Sequence, residues 1–137
     1  MDAEAITKLN NLVGLPFRDG ARGPDAYDCW GLAMQVLYLF GYRVPDYQIS
    51  ALDALGISEM IGKERTSWLE VNTPRPGCVL VMRLGQAILV NHIGVYLGDG
   101  LVIHTKEKTG SVIQKVSRPC LRHLVAGFYL PPEEYLV

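Results

Sequence analysis

The chain carries no excess of charge of either sign. Its 13 Lys and Arg against 14 Asp and Glu leave a formal net charge of −1, so it lacks the basic field that a nucleic-acid partner requires. No apolar run approaches the roughly 20 residues needed to cross a bilayer, and no membrane insertion is expected. Met1-Asp2-Ala3-Glu4 has neither the basic nor the apolar segment of a signal peptide. Synthesis in the cytoplasm without an export signal is therefore the expectation. Cysteine is scarce: Cys29, Cys78 and Cys120 are odd in number and widely spaced. That argues against a disulfide framework and for reduced thiols. No Cys-x-x-Cys or paired-histidine motif is present, so neither a metal site nor another cofactor is expected.

What remains suits one domain over residues 1–137. The hydrophobic fraction is 49%, ordinary for a globular core, and there is no repeat, low-complexity tract or linker. Ile6, Leu9, Leu12 and Val13 fall on one helical face and predict a first helix over residues 2–14, ending at Gly14. Leu32, Val36, Leu39 and Phe40 predict a second over 29–41, stopped by Gly41. Ile49, Leu52, Leu55 and Met60 predict a third over 48–61, broken around Gly56. Gly62 to Thr73 reads as irregular, with Trp68 as a packing anchor.

From Pro74 the pattern changes to strands. Val79–Met82 follows the Pro76-Gly77 turn, and Ala87–Val90 extends a hairpin around Gly85. His92–Leu97 is a strong strand, and Gly98-Asp99-Gly100 turns it back into Leu101–His104. Ser111–Val116 and Val125–Leu130 complete the set. Helices first and a meander of strands second predict an α+β domain, with helices packed on an antiparallel sheet.

The chemistry centres on Tyr27-Asp28-Cys29-Trp30-Gly31-Leu32, where a polar, glycine-rich loop becomes an apolar helix. Asp28 is a good N-cap, which puts Cys29 in the first helical turn. Amide N–H groups and the positive dipole end there favour a thiolate and can hold an oxyanion. The expectation is a thiol pKa below its free value of ~8.5. A cysteine in that place also serves as a small buried hydrophobe; the histidines tip the balance. His92 lies seven residues before Asp99 and His104 five after it. A bulge or slight offset would bring them together across the ladder, where diagonal neighbours stand ~7–8 Å apart at Cβ. One ring could then orient the other, as a nucleophile, base and orienter require. His123, in a polar segment, reads as a surface residue. Zinc on Cys29, His92 and His104 would lack the fourth ligand of a closed structural site.

In this order the three motifs resemble the NlpC/P60 cysteine peptidases. They are Asp28 to Leu32, His92-Ile93-Gly94-Val95-Tyr96-Leu97-Gly98, and Val102-Ile103-His104. The resemblance covers about Leu12 to Leu130. It implies a papain-like fold in which N-terminal helices pack on a small antiparallel sheet of five to six strands. It also implies Cys29 as nucleophile, His92 as general base and His104 as the residue orienting it. The implied substrates are peptidoglycan stem peptides, commonly cut after γ-D-glutamate next to a diamino acid. Pro16-Phe17-Arg18 and Asp-Cys-Trp-Gly-Leu look most like phage and prophage tail-associated members. Tail proteins are then implied partners, and a virion tail acting at the host wall an implied location.

The chain departs from the family pattern in three places. Phe17 lacks the hydroxyl of the Tyr found in many members, leaving oxyanion binding to amides near Cys29 or to Tyr27. Trp30 replaces a Ser, removing a possible substrate contact. Cys78 follows Gly77 where the family usually has Asp, a structural change only. Asp28 could hold a substrate amine or act only as the cap, so Asp28, Trp30, Tyr27 and Phe17 are the candidate substrate-binding residues. Two further readings follow: a tail-assembly module of the same fold with little activity, and a thiol-dependent amidase or acyltransferase. An apolar groove beside Cys29, with no charged residue to hold a stem peptide, would point to the latter.

Overall fold

A computed structural model describes residues 1–85, 88–117 and 124–137. Cys120, His123 and the first residue of the Ala87–Val90 extension lie outside the described residues. Helix α1 (Ala3–Leu12) begins at Asp2, whose side chain accepts a hydrogen bond from the Ala5 N–H at 2.8 Å. Leu9 and Leu12 are buried, but Ile6 and Val13 are exposed. The predicted apolar face is thus narrower than its sequence period, because α1 lies at the margin and meets α2 along one edge.

Helix α2 (Cys29–Leu39) is the core helix. Leu32, Val36 and Leu37 are essentially inaccessible, each worth roughly 1.5–3 kcal/mol of burial. It ends where Gly41 takes a φ of +98°, a conformation only glycine adopts without strain. The third helix differs from expectation. Helix α3 spans Ala54–Glu64, capped by Asp53, which accepts from the Gly56 N–H at 3.0 Å. Gly56 therefore sits in the first turn and breaks nothing, and Ile49 and Leu52 precede the helix. Nor is the following stretch wholly irregular, because Leu69–Val71 forms strand β1.

The other strands are β2 (Val79–Met82), β3 (His92–Gly98), β4 (Leu101–Lys106), β5 (Gly110–Lys115) and β6 (Val125–Leu130). Together they make a six-stranded sheet in the order β1-β6-β2-β3-β4-β5, with every pairing antiparallel. Ile88 and Leu89 are exposed bends and do not continue a strand. Helix α2 packs on β3 and β4, and its Leu32 and Val36 share one core with Val79, Val81, Val95 and Ile103. Cys78, Leu80, Met82 and Val102 form a second cluster. This is the predicted α+β architecture, with β1 added at the edge.

Candidate active site

The loop before α2 is organised by one carboxylate. Asp28 Oδ1 accepts from the Gly31 N–H at 2.7 Å and from Arg22 Nη1 at 2.6 Å, while Oδ2 accepts from the Gly20 N–H at 3.1 Å. Asp28 thus closes the loop and caps the helix together. Arg22 also reaches Asp46 through Nε at 3.0 Å. Asp19 takes the Ser50 hydroxyl at 2.6 Å and the Ala51 N–H at 2.7 Å. Both contacts tie the loop to the segment after α2. Gly31 has a steric reason: a Cβ there would run into the Ala21 carbonyl oxygen.

Cys29 is 7% exposed and is the first residue of that capped helix. Of the first four helix amides, Gly31 is taken by the Asp28 side chain and Leu32 by the Asp28 carbonyl. The N–H groups of Cys29 and Trp30 remain to face the sulfur, and they favour its anion. They do not prevail. Burial, with the Asp28 charge beside it, pushes the thiol up to about 12. This reverses the depressed value expected from the helix dipole, since removing a thiolate from water costs more than two amides return.

The histidine expectation holds. His92 Nε2 and His104 Nδ1 lie 2.8 Å apart, with ring centroids 5.0 Å apart and planes at 70°. The offset comes from a register shift in the β3–β4 ladder between Tyr96 and Gly98, the bulge the spacing required. His104 Nε2 in turn lies 2.6 Å from Gln114 Oε1 on β5. Both rings are buried. Burial, aided by His104 and the charge of Lys106, lowers the His92 pKa to about 3. Burial also lowers that of His104, against the pull of its Gln114 bond. Both imidazoles are neutral at pH 7, as is the thiol.

Between α2, α3 and the sheet lies a cavity of about 80 Å³. Cys29, Trp30, Trp68, Val81, Ile93 and Tyr129 are among its walls, so Cys29 and the residue next to His92 share one space. Among the described residues no hydrogen bond joins Cys29 Sγ to either imidazole. The wall is almost entirely apolar, with Glu64 and Arg65 contributing its charged side chains. Trp30 is fixed in it: Nε1 donates to the Pro45 carbonyl at 2.9 Å, and its ring stands 5.0 Å from Tyr47 and 6.2 Å from Trp68. A second depression, of about 220 Å³ and bordered by Arg22, Met34, Tyr38 and Asp46, reaches none of Cys29, His92 and His104.

The remaining candidates fall into two groups. Trp30 lines the cavity beside Cys29. Asp28 is saturated by three donors of its own chain, and Tyr27 and Phe17 pair with each other in the loop without lining the cavity. Arg22 and Gln114 were missed by sequence reasoning. Gln114 had a signal: it lies two residues beyond Val112, the partner of His104 across the ladder, and so shares its face.

A family model described as "NlpC/P60 family" matches residues 14–128. The chain is 30% identical over 115 residues to the Escherichia coli (strain K12) protein named "Probable endopeptidase YafL", covering 83% of this chain and 42% of that one. It therefore spans less than half of that relative's length. Among solved structures, an NlpC/P60 family protein from Bacillus cereus superposes with a TM-score of 0.67 at 22% identity, covering 93% of this chain and 39% of that one. The NlpC/p60 domain of peptidoglycan hydrolase SagA superposes with a TM-score of 0.60 at 18% identity, covering 93% and 96%.

Proposed function

Because this chain belongs to the NlpC/P60 family, we propose that it is a cysteine peptidase that hydrolyses amide bonds in peptidoglycan stem peptides. The bond between γ-D-glutamate and a diamino acid is the proposed target. The observation that carries this reading is the His92–His104 pair at 2.8 Å, on strands that α2 packs against with Cys29 at its mouth. The relative named as an endopeptidase and the domain of a peptidoglycan hydrolase support the substrate class.

Catalysis starts from a neutral thiol and a neutral imidazole. As Cys29 Sγ approaches His92 Nδ1, the proton passes to the ring and the sulfur attacks the amide carbonyl carbon. The oxyanion meets the N–H groups of Cys29 and Trp30, the two first-turn amides that Asp28 leaves free. Such a donor is commonly worth ~3–4 kcal/mol. His92 returns the proton to the leaving amine, and water then hydrolyses the thioester by the same base. His104 keeps the His92 ring in place throughout. Mass spectrometry of muropeptides tests the reading. The wild type should release cleaved stem peptides and Cys29→Ala none. Full release by Cys29→Ala would overturn it.

The tail-associated setting rests on Pro16-Phe17-Arg18 and on Asp28 to Leu32. Co-purification with tail proteins, alongside muropeptide release, supports it; release without tail association leaves a wall peptidase of another setting. One observation favours a second reading: the wall beside Cys29 is apolar apart from Glu64 and Arg65, which suits a thiol-dependent acyl transfer to or from an aliphatic substituent, while those two charges remain available to hold a stem peptide. Acyl-thioester formation at Cys29 from p-nitrophenyl esters, faster as the chain lengthens, would favour that chemistry over stem-peptide cleavage.

A further inference from the structure

The histidine pair does not end at His104. Its Nε2 lies 2.6 Å from Gln114 Oε1, and its Nδ1 lies 2.8 Å from His92 Nε2. A carboxamide oxygen accepts and cannot donate, so a hydrogen bond to it requires the proton of neutral His104 to sit on Nε2. His104 Nδ1 is then a bare acceptor, and the proton between the rings belongs to His92 Nε2. Only one nitrogen of neutral His92 remains, Nδ1, and it is left without a proton. That is the protonation state a general base for a thiol must have. With the amide turned over, its N–H would donate to His104 Nε2. The proton of His104 would move to Nδ1, and His92 would carry its own on Nδ1, where it blocks proton abstraction.

We propose that Gln114 is a positioning residue. Its side-chain oxygen, acting through His104, fixes His92 as the tautomer with a free Nδ1. This rests on His92 being the base in the reading above. Gln114 touches neither Cys29 nor the cavity beside it. It sits on β5 opposite Val102, diagonal to His104 across the β4–β5 ladder, which is close enough for side chains to meet. Among the described residues no carboxylate acts on either ring: the charged group acting on both is Lys106, which can only donate.

The experiment reads the tautomer directly. In protein labelled with 15N on histidine, two-bond correlations distinguish a protonated from a bare ring nitrogen. At pH 7 the wild type should show His92 protonated at Nε2 and bare at Nδ1, with His104 the same. Gln114→Leu should lose that uniformity. Gln114→Glu, which keeps an acceptor oxygen at the position, should restore it. Against stem peptide, kcat of Gln114→Leu should fall by about ten-fold or more with KM little changed, as for loss of a tautomer-setting partner. Gln114→Glu should recover most of it. A proton on His92 Nδ1 in the wild type, or identical histidine spectra and kcat in Gln114→Leu, would overturn the proposal. An inactive wild type with the stated tautomers would instead count against the peptidase reading and leave the Gln114 assignment standing. Should Gln114→Leu fail to fold, the wild-type and Gln114→Glu spectra decide alone.

Discussion

Arg22 Nη1 and Asp28 Oδ1 lie 2.6 Å apart, with the Asp28 side chain 1% exposed and that of Arg22 26%. This ion pair, with the helix cap on the same oxygen, holds the loop that delivers Cys29. Asp28→Ala should cost about 2–4 kcal/mol, combining a lost cap with a buried charge pair broken on one side. Asp28→Asn keeps an acceptor for the Gly31 N–H and should cost less. Urea unfolding of the three proteins checks the order. Equal midpoints for Asp28→Ala and the wild type would show that the loop does not depend on it.

Gly31 follows from the same loop. Its missing Cβ leaves room for the Ala21 carbonyl, and that room lets the loop fold back on the helix start. Gly31→Ala should destabilise by about 1–3 kcal/mol, although alanine is the better helix former. A gain in thermal midpoint would mean that the carbonyl moves aside freely.

The Cys29 thiol, raised to about 12 by burial, holds almost no thiolate at pH 7. Alkylation by iodoacetamide should be slow there and should climb with pH beyond 10 without a plateau. Cys78 is fully inaccessible and also raised by burial, so it should react more slowly still. Mass spectrometry of the labelled peptides over a pH series measures both. A plateau reached below pH 7 would identify a resting thiolate–imidazolium pair instead.

Acid should unfold the protein through its histidines. An unfolded His92 takes up a proton near 6.5, whereas the folded one waits until about 3. Between those values the unfolded state holds more protons, so stability rises with pH and is lost as pH falls. The slope approaches about 1.4 kcal/mol per pH unit for each such group. Denaturant midpoints at pH 7, 5.5 and 4 should fall in that order, and His92→Asn should flatten the trend. A midpoint constant across the window would show that the rings already carry charge when folded.

Much of this was readable from residue order. Strands β2 to β6 announced themselves through runs such as Val79–Met82 and the Gly98-Asp99-Gly100 turn, because local chemistry decides such segments. The Asp28 cap and the meeting of His92 with His104 were legible for the same reason: both are set within a dozen residues. Strand β1 was not, since Leu69–Val71 is three residues long and exists only by pairing with β6. The start of α3 was misplaced because Asp53, not the apolar period from Ile49, sets it. The height of the Cys29 pKa was hidden too, for it depends on how deeply the folded chain buries the thiol, beside a cavity whose walls include Val81, Ile93 and Tyr129 from distant parts of the chain. Arg22 as partner of both Asp28 and Asp46 is likewise a matter of tertiary placement.

The irregularity between Tyr96 and Gly98 has a bearing on how this family's chains can drift. Val95 faces Ile103 and Tyr96 faces Val102, but Gly98 faces Leu101, so one extra residue is absorbed before the reversal. Because Leu97 is that extra residue, removing a single amino acid there, Asp99 for instance, would straighten the bulge and leave Tyr96 opposite Val102, with His92 and His104 still on one face. A slip of β4 by one residue, by contrast, would turn His104 and Ile103 together to the opposite face, costing the pair and the core at once. The end of this hairpin should therefore accept a shortening that the ladder between His92 and Tyr96 would not.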